Sequence, residues 1–174
     1  FWYPLVVTMA GFVLFFVAYV GGEVGFSSWV YTYAVETGVA DVLSAAVLNS
    51  LFWVSFTAGR LLSIPLSARF RPRYLLWGNL VVLFMALGSM LLFPGAFWYS
   101  VAGLGLAYAS MFPQAMTWVQ RRLQVTGKIN GWFLGGANFS SMLVPWIMGL
   151  LFVQVGPRSL IWATWGMGTL MLVM

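Results

Sequence analysis

An acid inside a long apolar run is the residue of this sequence best placed to bind a cation. Glu23 follows Gly21-Gly22, and Ser27 and Tyr31 come four and eight residues after it. Residues at this spacing lie on one face of a helix. Ionisable residues within a membrane usually face a bundle interior or a cavity, where they mark ion and solute pathways. The alternative interpretation is a structural acid near the outer membrane interface.

Amides and indoles in three other apolar runs could bind a neutral polar solute. Asn49, Gln114 and Asn138 both donate and accept hydrogen bonds, which suits hydroxyl groups. Trp53 and Trp118 could form an apolar platform for a ring. The alternatives are that the amides bridge helices, that Gln114 satisfies the carbonyl freed by the adjacent proline, and that the indoles only pack or anchor the membrane interface.

The composition excludes several other kinds of chemistry. The chain has no Cys and no His, so thiolate zinc sites, disulfides and imidazole bases are absent. Charged residues are 6% of the chain, against about 25% in soluble domains. We therefore expect a membrane protein that is not an enzyme, with no catalytic residue, metal site or cofactor. The basic residues lie in short gaps between apolar runs, which indicates membrane topology and not nucleic-acid binding.

Six apolar segments are long enough to cross a bilayer, since a crossing needs about 20 residues. They predict an all-α transmembrane lobe over residues 1–174, with spans at 4–34, 42–66, 74–93, 96–119, 129–153 and 159–174. Gly21-Gly22 is predicted to interrupt the first helix and Pro113 the fourth. Interruptions at matching places are typical of two inverted three-helix repeats. The third and sixth helices contain few polar residues, so we expect them to face lipid.

Small residues also predict close helix packing. Gly131-x-x-x-Gly135 and Gly103-x-x-x-Ala107 have the spacing that lets two membrane helices approach closely.

The basic residues predict the orientation of the chain. Six lie in two loops, namely Arg69, Arg71, Arg73, Arg121, Arg122 and Lys128, whereas the three alternate loops contain only Arg158. Because cytoplasmic loops are enriched in Lys and Arg, loops 67–73 and 120–128 and both chain ends are predicted to be cytoplasmic. Arg60 is predicted to snorkel toward the same side. The first residue is Phe and the last lies in an apolar run, so we expect a piece of a longer protein.

Several segments together resemble transporters of the major facilitator superfamily. The resemblance is to the fucose permease-like branch and the sodium-dependent glucose transporter-like group, and it covers essentially the whole chain in order. The segments are YVGGEV at 19–24 and TYAVE at 32–36 for the seventh helix, LNSLFW at 48–53 and FTAGRLL at 56–62 with Ile64-Pro65 for the eighth, ASMFP at 109–113 for the tenth, and VTGK at 125–128 for the next loop.

The resemblance implies that the chain is the C-terminal lobe, helices seven to twelve, whose N-terminal lobe is not in this chain. Helices seven, eight, ten and eleven of that family line the central cavity. Arg60, Arg69 and Arg73 are assigned to the family's cytoplasmic loop motif. Ala68 and Arg71 stand where the motif has Asp and Gly, so the loop departs from its usual charge pattern.

These observations predict a secondary active transporter of a small polar solute, with a sugar as the first candidate, that works by alternating access. Glu23 would couple Na+ or H+ to the solute. Solute contacts are expected from Glu23, Ser27, Tyr31, Asn49, Trp53, Gln114, Trp118 and Asn138. The expected location is the plasma membrane. The alternative is a non-transporting membrane scaffold or receptor with the same fold.

Overall fold

The computed structural model describes residues 3–121 and 126–172, and this part of the chain is helical without strands. The expected all-α fold is confirmed. The helices are α1 (Tyr3–Glu36), α2 (Val42–Arg69), α3 (Pro72–Leu92), α4 (Phe97–Ala109), α5 (Met111–Gln120), α6 (Gly127–Val155) and α7 (Ser159–Leu172), with a 3-10 turn at Pro94–Ala96.

Four helices are long and apolar enough to cross a membrane by themselves: Val6–Glu36 within α1, and α2, α3 and α6. The helices α4 and α5 follow each other with only Ser110 between them. Together they cover residues 97–120, about 36 Å at the rise of an α-helix. The described part of α7 is 14 residues long. The length and composition of these helices agree with a protein that crosses the membrane several times.

Helix α1 is continuous through Gly21-Gly22, so the predicted interruption there is wrong. Glycine in a helix interior costs about 1 kcal/mol relative to alanine, but here it allows close packing. A Cβ on Gly21 would lie 2.6 Å from Ser140 Oγ. That hydroxyl donates a 2.6 Å hydrogen bond to the backbone carbonyl of Val17. Gly21 therefore brings α1 and α6 together and does not break α1.

The break between α4 and α5 lies at Ser110, three residues before Pro113. Proline has no N–H, and its ring clashes with the carbonyl of the residue four positions earlier, which is Ala109. Helix α4 ends at that residue. Asn79 of α3 donates a 2.7 Å hydrogen bond to Ser110 Oγ at this break. Helix α3 was expected to face lipid, but its Asn79 side chain stabilises the junction between α4 and α5.

Helices α3 and α7 each have a buried face and an exposed face. In α3, Leu76, Leu80, Leu83 and Leu87 are buried at the spacing of one helix face, while Trp77 is exposed. The buried face packs against α4, α5 and α7. The sparse polar content of α3 therefore reflects an apolar core contact as well as an exposed surface.

Two glycines bring α2 and α4 into close contact. A Cβ on Gly105 would lie 2.5 Å from the Phe52 carbonyl oxygen, and a Cβ on Gly59 would lie 2.6 Å from Ala109 Cβ. The pair predicted from Gly131 and Gly135 behaves differently, because a Cβ on either residue would meet no described atom within 4 Å. Helices approach closely where the facing residue is also small or exposes its backbone, which the spacing of glycines alone does not reveal.

Candidate functional site

Four polar side chains from three helices meet beside the middle of α1. They are Tyr19 and Glu23 of α1, Arg60 of α2 and Tyr108 of α4, and we call them the Glu23 cluster. Tyr19 precedes Glu23 by one helical turn, the Tyr108 hydroxyl lies against Gly22, and the charge of Arg60 acts on Glu23 without a direct ion pair between them. The cluster joins the acid that the sequence singled out to a cation and two phenols.

The two phenolic hydroxyls of the cluster are buried without partners. The rings of Tyr19 and Tyr108 lie 5.9 Å apart, and the residues are 1% and 0% exposed. The Tyr19 hydroxyl faces both the Glu23 carboxyl and the Arg60 guanidinium. Neither contact has hydrogen-bond geometry, and both hydroxyls lack a hydrogen-bond partner among the described residues. A buried unpaired polar group costs about 1–3 kcal/mol, so a bound polar atom here would be stabilised by both phenols.

Gly22 explains how Tyr108 reaches α1. A Cβ at this position would lie 2.5 Å from the Tyr108 hydroxyl oxygen and 3.3 Å from Met167 Cβ. Only glycine leaves room for the phenol at the turn of α1 that carries Glu23. Gly21 therefore packs against Ser140 of α6, and Gly22 packs against Tyr108 of α4.

Arg60 lies inside α2 and apart from the loop that follows this helix. The helix continues for nine residues to Arg69, about 14 Å beyond Arg60. Arg69 is the last residue of α2 and Arg73 the second residue of α3, so these two residues lie on either side of the loop. The Arg60 guanidinium lies 4.8 Å from the centre of the Phe56 ring and is exposed at the surface of the lobe.

Asn49 and Trp53 extend this surface along α2. Trp53 is 42% exposed and makes edge-to-face contacts with Phe52 and Phe56, at ring distances of 5.3 and 5.6 Å. Asn49 lies one turn earlier, and its Oδ1 is buried without a hydrogen-bond partner in residues 3–121 and 126–172. The Phe56 ring thus connects Trp53 to Arg60, and Asn49 offers an unused acceptor on the same helix.

Ser27 and Tyr31 follow Glu23 along α1 but differ in environment. Ser27 is buried, and its hydroxyl donates a 3.2 Å hydrogen bond to the Val24 carbonyl of its own helix. Tyr31 is 36% exposed. The expected polar face of α1 therefore runs from a buried hydroxyl to an exposed phenol.

The three remaining candidates lie away from the Glu23 cluster. Gln114 is 3% exposed, and its Nε2 donates a 2.5 Å hydrogen bond to Ser67 Oγ, which ties α5 to the last turns of α2. Trp118 makes an edge-to-face contact with Phe12 at 5.6 Å. Phe12 is eleven residues from Glu23, about 16 Å along α1.

Asn138 is exposed on α6. Its backbone carbonyl accepts a 2.7 Å hydrogen bond from the Ser141 hydroxyl. Ser140, two residues on, faces α1. Asn138 therefore points away from the contact with α1 and lies outside the cluster.

A groove of about 630 Å³ lies at the end of the lobe where Trp118 is found. Its walls come from α1, α3, α5 and α7, and most of its lining is apolar. Arg73 is the charged residue among those that line it. The groove does not include any residue of the Glu23 cluster.

Sequence reasoning missed Tyr19 and Tyr108. Tyr19 could have been found, because it precedes Glu23 by four residues and so shares its face of the helix. Tyr108 carries no such signal, since it lies 85 positions after Glu23 on another helix.

The chain is similar to two groups of known proteins, which differ in name. Sodium-dependent glucose transporter 1 of Danio rerio is 34% identical over 140 residues, which cover 79% of this chain and 24% of that protein. The human protein of the same name is 32% identical over 147 residues, or 79% of this chain and 27% of that protein. Major facilitator superfamily domain-containing protein 4A of Mus musculus is 34% identical over 142 residues, or 77% and 27%.

The chain spans about a quarter of the length of these relatives. No protein-family model matches it, and no solved structure matches it significantly. The relatives and the apolar helices agree on a multi-pass membrane protein. The chain belongs to the major facilitator superfamily, in the branch that contains the proteins named sodium-dependent glucose transporter 1 and major facilitator superfamily domain-containing protein 4A.

Proposed function

We propose that this chain is the C-terminal lobe of a secondary active transporter that moves a sugar by alternating access and couples its movement to a cation. The observation that carries this proposal is the Glu23 cluster. Charged residues within a membrane are costly and usually belong to ion or solute pathways. Two relatives are named for sodium-dependent glucose transport, which agrees with a sugar as solute and Na+ as coupling ion.

Glu23 is the proposed cation-coupling residue. Its carboxylate and the two phenolic oxygens form an all-oxygen set, which suits a hard cation. Asn49 and Trp53 of α2 are proposed solute contacts, through an unused amide acceptor and an exposed indole. A hydroxyl can donate to Asn49 Oδ1, and a sugar ring can lie on the indole.

Five further residues are proposed to contact the solute in the complete protein. They are Ser27, Tyr31, Gln114, Trp118 and Asn138. Gln114 would have to exchange its hydrogen bond to Ser67 for one to the solute, so its contact requires a rearrangement of α5 against α2. The N-terminal lobe would supply the opposite wall of the site.

We further propose that the protein lies in the plasma membrane with loops 67–73 and 120–128 and both ends of this chain in the cytoplasm. The concentration of Arg and Lys in those two loops supports the orientation.

Flux through the full-length protein tests the transport function. We expect reconstituted protein to accumulate labelled glucose under an inward Na+ or H+ gradient. Glu23→Gln should abolish the cation dependence but retain sugar exchange, because the amide keeps the shape without the charge. Glu36→Gln, at the exposed end of α1, is the matched control and should behave like the parent.

Absence of flux of any sugar from correctly folded, reconstituted protein would contradict transport and favour a scaffold or receptor. Unchanged cation dependence in Glu23→Gln would contradict the coupling role of this residue.

A further inference from the structure

We propose that the apolar groove at the Trp118 end of the lobe binds a membrane phospholipid with an anionic headgroup, and that Arg73 contacts the phosphate of this lipid. The proposal goes beyond transport, because the groove shares no residue with the Glu23 cluster. It rests on the shape of the groove, on the order of charged and apolar residues along one wall, and on the charges at this end of the lobe.

The groove has a buried apolar floor and an exposed rim. Among its lining residues, Phe15, Leu76, Leu80 and Met171 are buried, whereas Val7 and Trp77 are exposed. A Cβ on Gly11, which also lines the groove, would meet no described atom within 4 Å, so this glycine keeps its part of the wall open. The volume of about 630 Å³ falls in the range of ligand-binding clefts, about 300–1,000 Å³.

The α3 wall of the groove changes from charged to apolar with depth. Arg73 lies in the first turn of α3, Trp77 lies one turn later, and Leu80 lies about 10 Å from Arg73 along the helix. In membrane proteins, Trp is enriched between the headgroups and the hydrocarbon, and Arg near a helix end reaches the headgroups. A phospholipid has the same order from phosphate to acyl chain. The wall therefore matches a lipid in its ordinary orientation in the bilayer.

The charges at this end of the lobe favour an anionic lipid over a neutral one. Loops 67–73 and 120–128 contain six basic residues and no acid. Glu23 follows Phe15 by eight residues, about 12 Å along α1 beyond the groove, and the two remaining acids lie at or after the end of α1. Basic pockets between membrane helices on the cytoplasmic side are typical sites for anionic headgroups, and the cytoplasmic leaflet is the one rich in anionic lipids.

Arg73 is available to bind the phosphate. Its side chain is exposed and makes no hydrogen bond or ion pair within residues 3–121 and 126–172. A guanidinium binds a phosphate through two parallel N–H donors. The N-cap residue Arg71 makes no side-chain capping hydrogen bond, so an anion here would also interact favourably with the N-terminus of α3. The proposed orientation, with loop 67–73 in the cytoplasm, places this site in the inner leaflet.

Lipid binding to purified full-length protein tests the role of Arg73. In a native mass-spectrometry titration in mild detergent, the parent should bind phosphatidylserine several-fold more tightly than phosphatidylcholine. Arg73→Gln should weaken the binding of phosphatidylserine about fivefold and leave that of phosphatidylcholine unchanged. Arg73→Lys should lose less, because it keeps a positive charge.

Arg71→Gln is the matched control, because Arg71 is exposed and lies two residues from Arg73 but does not line the groove. It should bind both lipids like the parent. Equal binding of the two lipids by the parent would overturn the proposal. Equal losses in Arg71→Gln and Arg73→Gln would overturn it as well, because the attraction would then be diffuse and not specific to the groove.

Gly11→Leu tests the shape of the groove. The leucine side chain would extend into the groove, so we expect several-fold weaker binding of phosphatidylserine. Gly131→Leu, in open space on α6 and outside the groove, is the control and should bind like the parent. If Gly11→Leu does not fold, Trp77→Ala takes its place, because it removes an exposed part of the wall. Unchanged binding of phosphatidylserine in the folded variant would overturn the proposal.

A photo-crosslinker in the groove identifies its occupant. Full-length Trp77→p-benzoylphenylalanine is reconstituted in vesicles of equal parts phosphatidylserine and phosphatidylcholine, and we expect crosslinks to phosphatidylserine in excess. Crosslinks to both lipids equally, or to a peptide of the protein itself, would overturn the proposal. Neither binding nor crosslinking requires transport, so a failure of this inference leaves the proposed function standing, and a lack of sugar flux leaves this inference standing.

Discussion

The indole Nε1 of Trp29 donates a 2.9 Å hydrogen bond to the backbone carbonyl of Pro145, across 116 positions of sequence. The same ring stacks on Phe152 at 5.4 Å and lies directly against Gly149. One tryptophan of α1 therefore satisfies a polar backbone atom and fills the space beside a glycine of α6.

Gly149→Ala should destabilise the lobe through this contact. The added methyl would collide with the Trp29 ring, and overpacking of this kind costs about 1–3 kcal/mol. Gly131→Ala is the control in the same helix, because a Cβ there would meet no described atom within 4 Å. We expect a lower melting temperature for the first variant and an unchanged or higher one for the second, measured in detergent. Equal melting temperatures would contradict the packing.

Tyr108→Phe should change stability and cation binding in opposite directions. Removing a buried hydroxyl that has no partner among the described residues should leave the melting temperature equal or higher. If that hydroxyl binds a cation, the half-saturating cation concentration should rise severalfold. A purely structural phenol would leave the cation dependence unchanged, so cation titration of uptake and thermal unfolding together decide its role.

Gly22→Ala should disturb the same hydroxyl from the opposite side. Its Cβ would approach Tyr108 Oη at 2.5 Å, so the phenol must move away from the Glu23 cluster. We expect weaker cation dependence of uptake at normal surface expression. Gly11→Ala, in open space on the same helix, should transport like the parent. Similar behaviour of the two alanine variants would argue against a role for the position of Tyr108.

Asn79→Leu and Asn138→Leu should fail in different ways. Asn79 donates to Ser110 Oγ, and the loss of that hydrogen bond leaves a buried hydroxyl without its partner, at a cost of about 1–3 kcal/mol. We expect a lower melting temperature with a near-normal KM for the solute. Asn138 is exposed, so its replacement should spare stability and raise KM if it contacts the solute. A normal melting temperature for Asn79→Leu would show that the bond does not hold the break at Ser110.

Cysteine labelling tests the predicted orientation. The chain has no native Cys, so Arg71→Cys introduces the single thiol of this lobe. In a full-length protein without other accessible thiols, we expect it to react with an impermeant reagent only after the cytoplasmic side is opened. Ready labelling from outside intact cells would reverse the topology, because loop 67–73 would then be external.

Composition and spacing by themselves determined the broad character of this protein. Charged residues are too few to cover a soluble surface, and long apolar runs bounded by Arg, Gly and Pro predict helices of membrane-spanning length. The same reasoning identified Glu23, because an acid within such a run is costly wherever the helix packs. These inferences succeed because they depend on local properties, namely hydropathy, helix length and the missing N–H of Pro113.

Only the tertiary structure decided which polar residues meet and what the glycines do. Gly21-Gly22 is a common breaker pattern in a sequence, but contacts with Ser140 and Tyr108 make it a packing site in a continuous helix. The resemblance groups Arg60 with a cytoplasmic loop motif, whereas the structure places it inside α2, nine residues before the helix ends at Arg69. A residue pattern predicts which side chains share one face of a helix. A site built from three helices also depends on how those helices pack against one another, which the pattern does not contain.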